Sequence, residues 1–131
     1  MMQFADTFYF LALLNAKDRA HRAALERSTG SDGLLTTEWV LVELANALAP
    51  RQKRSAFINL YRILKLNPNV EIVPAHGDLF ERGIRHFAER TDKDWSLVGC
   101  ISFIVMKDRG ITEALTGDRH FEQAGFTALL K

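Results

Sequence analysis

Apolar and polar positions along the chain form two alternating patterns. Short apolar runs that end at polar residues predict strands at 3–5, 34–36, 70–73 and 111–115. Between and after them, apolar residues recur every three to four positions, which predicts helices. The predicted helices cover a segment after Asp6-Thr7 and residues 19–27, 37–50, 55–66, 78–89 and 97–106, with one short helical turn after Asp118 and a last, edge strand at 126–130.

Strands that alternate with helices indicate a three-layer α/β/α sandwich around a mostly parallel sheet of four or five strands. The chain has 131 residues, of which 47% are hydrophobic, and this suits one domain over residues 1–131. The Ser/Gly-rich segment 28–33 predicts a break between the second helix and the second strand. Helix 97–106 is almost continuously apolar, so we expect it to be central and largely buried.

Charge and cysteine content narrow the classes of function. The formal net charge is +1, so no strong overall field attracts nucleic acid, and any RNA binding needs a local patch. Cys100 is the only cysteine, which excludes an internal disulfide and a cysteine-rich zinc site and fits a reducing compartment.

The apolar run 8–14 follows Asp6 and lacks a basic segment before it, so it predicts neither a signal peptide nor a membrane span. A cytoplasmic location is the expectation.

Acidic residues occur where the predicted strands end. Asp6 and Asp118 follow the first and fourth strands, and Glu43 lies in the helix after the second strand. Because sites in parallel sheets form outside the carboxyl ends of the strands, we expect these carboxylates to converge. Converging carboxylates without His or Cys suit Mg²⁺ or Mn²⁺, the ions of phosphodiester hydrolysis.

A structural role is the alternative for each acid. Asp6 and Asp118 could equally be N-caps of the helices that follow them. Glu43 lies in an apolar stretch, where an unpaired carboxylate is costly, so a functional role is favoured, with a salt bridge to an arginine as the other option. No Walker A loop, GxGxxG or GxSxG motif occurs, and Phe8 stands where a haloacid-dehalogenase-like phosphatase would carry its second Asp.

Blocks of sequence in a fixed order resemble PIN domains, and among them the VapC-type toxins of bacterial toxin–antitoxin pairs. The resemblance spans nearly the whole chain. It is carried by FADT at 4–7, TEWVLVEL at 37–44, DWSLVGCISF at 94–103 and TGDRHF at 116–121. It implies a Mg²⁺-dependent endoribonuclease that cuts structured RNA such as transfer RNA, an antitoxin that covers the acidic site, and a homodimer. It also implies that Asp6, Glu43 and Asp118 coordinate metal and that Thr116 supports them.

Gly99 stands where the resemblance calls for a further metal-binding Asp. Ser96 is a good N-cap for helix 97–106, so position 99 is in its first turn, where an acid is favourable and Gly costs up to about 1 kcal/mol of helix propensity relative to Ala. We therefore predict a weakened or inactive nuclease. The competing hypothesis is a catalytically impaired PIN domain that still binds RNA or an antitoxin. Asp94 or Asp92 could partly replace the missing acid, although a loop or capping role is favoured for both.

For the remaining candidates a structural role is favoured over a functional one. Cations that could contact RNA phosphates, but more simply form a solvated face, are Arg51, Lys53, Arg54, Arg19 and Arg22. His120 could contact substrate, and Trp39 or, better, Trp95 could stack on bases, although a structural role for the histidine and core packing for the tryptophans are favoured. Phe8, Phe10 and the apolar residues of 40–48 and 57–64 exceed what a small core must bury, which predicts a homodimer interface and a groove for an amphipathic helix of the antitoxin.

Overall fold

The computed structural model describes residues 1–29 and 32–131, so part of the predicted break at 28–33 lies outside the described residues. Strands and helices alternate as the pattern predicts. In chain order they are β1 (Gln3–Ala5), α1 (Thr7–Leu14), α2 (His21–Ser28), β2 (Leu34–Thr37), α3 (Glu38–Ala47), α4 (Arg54–Leu66), β3 (Val70–Val73), α5 (Gly77–Glu89), α6 (Leu97–Asp108), β4 (Glu113–Leu115), α7 (Arg119–Gln123) and β5 (Thr127–Ala128).

The sheet has the order β3-β2-β1-β4-β5, and every pair of neighbouring strands is parallel. The chain builds one half outward from β1 through β2 to β3, then crosses back to add β4 and β5 on the other side of β1. The direction of winding therefore reverses between β1 and β4. Parallel strands need a crossover on a sheet face, and helices on both faces complete the predicted α/β/α sandwich.

Helix α6 is the most deeply buried helix, as its composition predicts. Its buried residues are Cys100, Ile101, Ser102, Phe103, Val105 and Met106. Ser102 keeps its hydroxyl satisfied by donating to the carbonyl of Val98 at 2.9 Å. Helix α5 crosses α6 closely at Gly83, where an added Cβ would lie only 2.4 Å from Cγ1 of Ile101.

The fourth strand begins later than the apolar run 111–115 suggests. Gly110 has a φ of +65° and ends α6, and the amide of Ile111 donates to the carbonyl of Met106 at 2.9 Å. This is the bond of a Schellman helix end, which keeps Ile111 out of the strand. The final strand is shorter than predicted for a related reason, since the amide of Phe126 donates back to the carbonyl of Phe121.

Most apolar residues that the sequence suggests as surplus lie in the core. Phe10, Val40 and Leu44 are fully buried, and Leu60 and Leu64 nearly so, because both faces of the sheet are covered by helices. Within the predicted stretches, Val42, Ile58, Tyr61 and Ile63 are exposed, so a homodimer interface there stays a prediction. A further exposed apolar stripe lies along α5 and is formed by Phe80, Ile84 and Phe87. Within the described ranges, no helix has the length and apolar character needed to cross a membrane.

Candidate active site

The acidic site forms where the winding of the sheet reverses. Asp6 directly follows β1, and Asp118 follows its neighbour β4 after Thr116 and Gly117. Both strands run in the same direction, so their carboxyl ends meet at one edge of the sheet. This is the position at which open α/β sheets bind ligands.

Asp6 is buried, with 9% of its surface exposed. It occupies the N-cap position of α1 but makes no side-chain capping bond, so the capping alternative does not explain it. Its Oδ2 instead accepts a hydrogen bond of 3.0 Å from the hydroxyl of Thr116. Burial raises the pKa of Asp6 from its usual 3.8 to about 6; bonds from Thr116 and the Thr7 backbone oppose this rise, and the charges of Glu43 and Asp118 add to it.

Thr116 connects the two strand ends. It is fully buried, and its oxygen both donates to Asp6 and accepts the backbone amide of Asp118 at 3.0 Å. Asp118 in turn caps α7, because its Oδ1 accepts the amide of His120 at 2.9 Å. The capping alternative is thus right for Asp118, while the same residue still lines the acidic cavity.

Glu43 reaches the site from α3, a helix that begins with a side-chain cap from Thr37 to the amide of Val40 at 3.1 Å. Glu43 is half-buried, and its Oε1 accepts a hydrogen bond from the hydroxyl of Thr7. In the described part of the chain it forms no ion pair, so the arginine alternative finds no support there. Its carboxylate is held by a neutral partner and keeps its charge available to a cation.

These side chains surround a cavity of about 100 Å³. Its lining is acidic and aromatic. The lining residues are Asp6, Glu43, Trp95, Ser96, Val98, Gly99, Phe103, Asp118, His120 and Phe121.

Gly99 lies on the wall of this cavity, in the first turn of α6. Ser96 caps that helix as predicted, since its Oγ accepts the amide of Gly99 at 2.9 Å. A Cβ at position 99 would lie 3.1 Å from Oγ of Ser96 and 3.8 Å from Cζ of Phe103. The first contact is tight and the second is ordinary, so a side chain fits after a small shift of the serine.

The donor set suits a hard divalent cation by its chemistry. A buried carboxylate with a raised pKa, two further carboxylates and no neutralising cation among them describe a site that lacks positive charge. Among residues 1–29 and 32–131, however, no group of three or more His, Cys, Asp or Glu side chains is already close enough to hold an ion.

Of the remaining predicted residues, some line the acidic cavity and others lie outside it. His120 lines the cavity, with Nδ1 3.5 Å from Oδ1 of Asp118, and Trp95 forms part of its wall. Asp94 is exposed and does not belong to the lining, so its supporting role stays a prediction without a contact. Asp92 pairs with Arg90. Trp39 stacks on Phe80 at a centroid distance of 5.6 Å and does not line the cavity.

The basic residues proposed for RNA phosphates are outside the cavity lining. Arg19, Arg22, Arg51, Lys53 and Arg54 are all exposed, and Arg54 donates to the carbonyl of Ala49 at 2.7 Å. None of them lines the acidic cavity. The solvated face that the sequence favours is the better description of them.

Phe8 is a site residue that the sequence does not reveal. A Cβ at Gly117 would lie 2.5 Å from Cζ of Phe8, so the absence of a side chain at 117 admits the ring. The ring thus packs on the loop that carries Asp118. The available sequence signal for this contact was Gly117, which lies between the polar site residues Thr116 and Asp118.

Comparisons with known proteins identify the family and the fold. The model of the PIN domain family matches residues 4–127. The 23S rRNA-specific endonuclease VapC20 of Mycobacterium tuberculosis is 30% identical over 126 residues, which cover 95% of each chain. Its crystal structure, described as that of a Sarcin–Ricin-loop-cleaving toxin, superposes with a TM-score of 0.86, at 28% identity and 97% coverage of both chains. The crystal structure of VapBC2 from Rickettsia felis bound to a promoter DNA fragment matches in fold alone, with a TM-score of 0.68 at 12% identity over 98% of this chain and 96% of that one.

Proposed function

From the premise that this chain belongs to the PIN-domain family and is related to VapC toxins, we propose that it is a metal-dependent endoribonuclease toxin whose activity is weakened by Gly99. The observation that carries the proposal is the acidic cavity at the β1/β4 edge. Asp6, Glu43 and Asp118 line it together although they are distant in the sequence. A substrate phosphodiester reaches the same open edge of the sheet.

Asp6, Glu43 and Asp118 would hold Mg²⁺ or Mn²⁺. When bound, such an ion would activate water and stabilise the charge that develops on the phosphate. The protein positions these ligands through neutral hydroxyls. Thr116 orients Asp6 and the amide of Asp118, and Thr7 orients Glu43 at the cavity wall. The packed rings of Phe103 and Phe121 exclude bulk water from one wall, which strengthens electrostatic interactions inside.

Gly99 deprives the site of one carboxylate at the part of the cavity wall formed by the first turn of α6. With fewer charged ligands, ion affinity and transition-state stabilisation both fall. The backbone of α6 and its Ser96 cap nevertheless keep the geometry of a site with a longer side chain at 99. The defect is therefore confined to one side chain.

We propose a loop of ribosomal RNA as the substrate class. The related toxin VapC20 is a 23S rRNA-specific endonuclease that cleaves the sarcin–ricin loop, and this class of RNA replaces transfer RNA as the preferred expectation. The net charge of +1 gives no general affinity for RNA, so recognition of a particular loop has to come from local contacts.

The test is cleavage of a sarcin–ricin hairpin RNA by the parent chain and by Gly99→Asp, each with Mg²⁺ and with EDTA. We expect Gly99→Asp to cleave at least about tenfold faster than the parent, in Mg²⁺ only, because removing one stabilising group commonly costs a factor of ten or more. Gly77→Asp is the matched control, since a Cβ there meets nothing within 4 Å and lies outside the cavity. If Gly99→Asp is as inert as the parent, and Asp6→Asn changes neither cleavage nor metal binding, the proposal fails.

A second function follows if Gly99 abolishes cleavage altogether. The chain would then be a binding module that retains its RNA or antitoxin surface. Equal affinity of parent and Gly99→Asp for the hairpin, with cleavage by the variant alone, would identify this case. If neither protein cleaves the hairpin, the binding-module function is not supported by this test.

We further propose an antitoxin partner and a homodimer, in the cytoplasm. An apolar groove of about 430 Å³ lies between α1, α3 and α4, lined in part by Leu11, Leu14 and Leu48, and it suits one face of an amphipathic helix.

The α5 stripe supports self-association because exposed apolar stripes mark interfaces. Phe87→Glu should convert a dimer into a monomer in sedimentation, whereas Leu25→Glu, at an exposed leucine of α2, should leave the mass unchanged.

A further inference from the structure

A second cavity lies behind Trp95, and we propose that it binds an unstacked nucleotide of the RNA substrate. We call it the Trp95 pocket. It has a volume of about 250 Å³ and is lined by His86, Arg90, Trp95, Phe103, Ile104, Lys107, Gln123, Ala124 and Phe126. The inference rests on the proposed function, and it names a contact by which that function selects its RNA.

The Trp95 pocket and the acidic cavity share two walls. Trp95 and Phe103 line both of them. Their rings are 5.0 Å apart in an edge-to-face arrangement that fixes both. A nucleotide in the Trp95 pocket is therefore separated from the carboxylates by one layer of side chains, the separation expected of a nucleotide near the cleaved bond.

The charge of the Trp95 pocket suits a polyanion. Among the described residues that line it, Arg90 and Lys107 are cationic and none is acidic. Arg90 is engaged by exposed Asp92 through bonds of 3.1 and 3.2 Å, and Asp92 also lies 3.9 Å from Lys93. Lys107 is exposed and is the cation better placed to meet a phosphate. This local patch supplies the attraction that neither the net charge nor the acidic cavity provides.

The guanidinium plane of Arg90 provides a platform for a base. It lies over the Trp95 ring, 4.7 Å from the centroid, and the ring itself is only 5% exposed, so a base stacks on the guanidinium rather than on the indole. Phe126, which packs on Phe103 at 5.8 Å, adds an aromatic wall. Aromatic rings and arginine planes are the surfaces on which unstacked RNA bases are held. A purely apolar occupant would not explain the two cations at the rim.

Gln123 adds a directional contact. Its Oε1 accepts the indole N–H of Trp95 at 3.0 Å. Because an indole N–H can only donate, it fixes which end of the amide faces Trp95. The amide nitrogen is then left as a donor at the pocket wall, which favours a base that presents a carbonyl oxygen, such as guanine or uracil.

The test uses fluorescence of Trp95 in full-length protein. Trp39→Phe leaves Trp95 as the only indole, and Asp6→Asn prevents cleavage during the titration. We expect the sarcin–ricin hairpin to quench Trp95 and expect Lys107→Ala and Gln123→Glu each to weaken binding by about 5- to 100-fold. Gln123→Glu keeps the oxygen that accepts from Trp95 but replaces the donor with a charged oxygen, so Gln123→Met, which removes the donor without adding charge, should weaken binding as well. Lys65→Ala, which removes an exposed cation of α4 outside the pocket, should change affinity by less than about twofold.

A second measurement separates this inference from the proposed function. In the Gly99→Asp background, Lys107→Ala and Gln123→Glu should raise KM by a similar factor and leave kcat nearly unchanged. RNA binding that depends on Lys107 and Gln123 without any cleavage supports the pocket and rejects the nuclease. Cleavage whose KM ignores both substitutions overturns the pocket and keeps the nuclease. Quenching by poly-glutamate equal to that by the hairpin would also overturn it.

Discussion

The hydroxyl of Thr116 donates a hydrogen bond of 3.0 Å to Oδ2 of Asp6, across the 110 residues that separate them in sequence. The same oxygen accepts the amide of Asp118 at 3.0 Å. One buried hydroxyl thus fixes a carboxylate on one strand end and the backbone that carries another. Both acids depend on it for their positions.

Removal of the Thr116 hydroxyl should shift the pH profile of cleavage. In the Gly99→Asp background, Thr116→Val deletes a bond that stabilises the charged form of Asp6, so the pKa of Asp6 should rise further and the acid limb of activity should move to higher pH. The amide of Asp118 also loses its partner, at about 1–3 kcal/mol of stability. Thr116→Ser, which keeps the hydroxyl, should restore both. Identical profiles for the valine and serine variants would show that the bond does not act on Asp6.

The apo protein should lose stability as the pH rises through the range 4 to 6. The folded pKa of Asp6, about 6, exceeds its usual 3.8, so the folded state holds the proton more tightly and the loss of stability is nearly complete by about pH 7. About two pKa units correspond to a total loss on the order of 3 kcal/mol. Roughly half of it, about 1.4 kcal/mol, falls between pH 5 and pH 7.5, and urea unfolding in EDTA at these two pH values measures it as the difference between parent and Asp6→Asn.

Surface ion pairs act in the opposite direction and cancel in that difference. Arg109 lowers the pKa of Glu71, and Arg82 lowers that of Asp108, so both pairs contribute above the usual carboxylate pKa and weaken as the pH falls. They are present in both proteins. If Asp6→Asn and the parent lose stability in parallel, burial of Asp6 does not carry the effect.

Divalent cations should stabilise the fold at pH 7.5 through the acidic cavity. An ion at about one hundred times its Kd adds roughly 2.7 kcal/mol to the free energy of unfolding. We expect Mg²⁺ to raise the Tm of the parent, to raise that of Gly99→Asp further, and to leave Asp6→Asn and Glu43→Gln almost unchanged. At pH 5 the rise should shrink because Asp6 is then largely protonated. An equal rise in Asp6→Asn would assign the ion to another place.

Gly117→Ala should disturb the site by sterics alone. The added Cβ would meet the ring of Phe8 at 2.5 Å, so the ring or the loop must shift, at about 1–3 kcal/mol. Because the loop carries Asp118, cleavage by the Gly99→Asp form should fall with stability. Gly77→Ala adds the same methyl group in open space at the start of α5 and should be neutral or stabilising. Chemical denaturation of both variants, with cleavage rates, checks the contrast.

The sequence predicted the order of elements and the convergence of the acids because both follow from local patterns. Periodicity defines strands and helices, and parallel strands bring Asp6 and Asp118 to one edge whatever the details of packing. The end of α6 escaped prediction because it depends on the left-handed conformation of Gly110, which shortens β4. The periodicity of apolar residues does not indicate the conformation of a single glycine at a helix end.

Contacts between distant residues were the least predictable part of the site. The roles of Thr7, Phe8 and Gln123 depend on partners that are far away in the sequence. The sequence also did not show which of the surplus apolar residues are buried, such as Phe10 and Leu44, and which are exposed, such as Ile58 and Ile63. A sheet covered on both faces buries more apolar surface than a small core with one open face.

The reversal of winding between β1 and β4 has a consequence for when the protein can act. Thr116, which orients Asp6, is synthesised 110 residues after it, and Asp118 follows two residues later, when β1 to β4 have been made. A nascent chain that has not yet added residue 118 contains no acidic cavity. Under the proposed function, cleavage of RNA would begin only after β4 and the loop that carries Asp118 have folded beside β1.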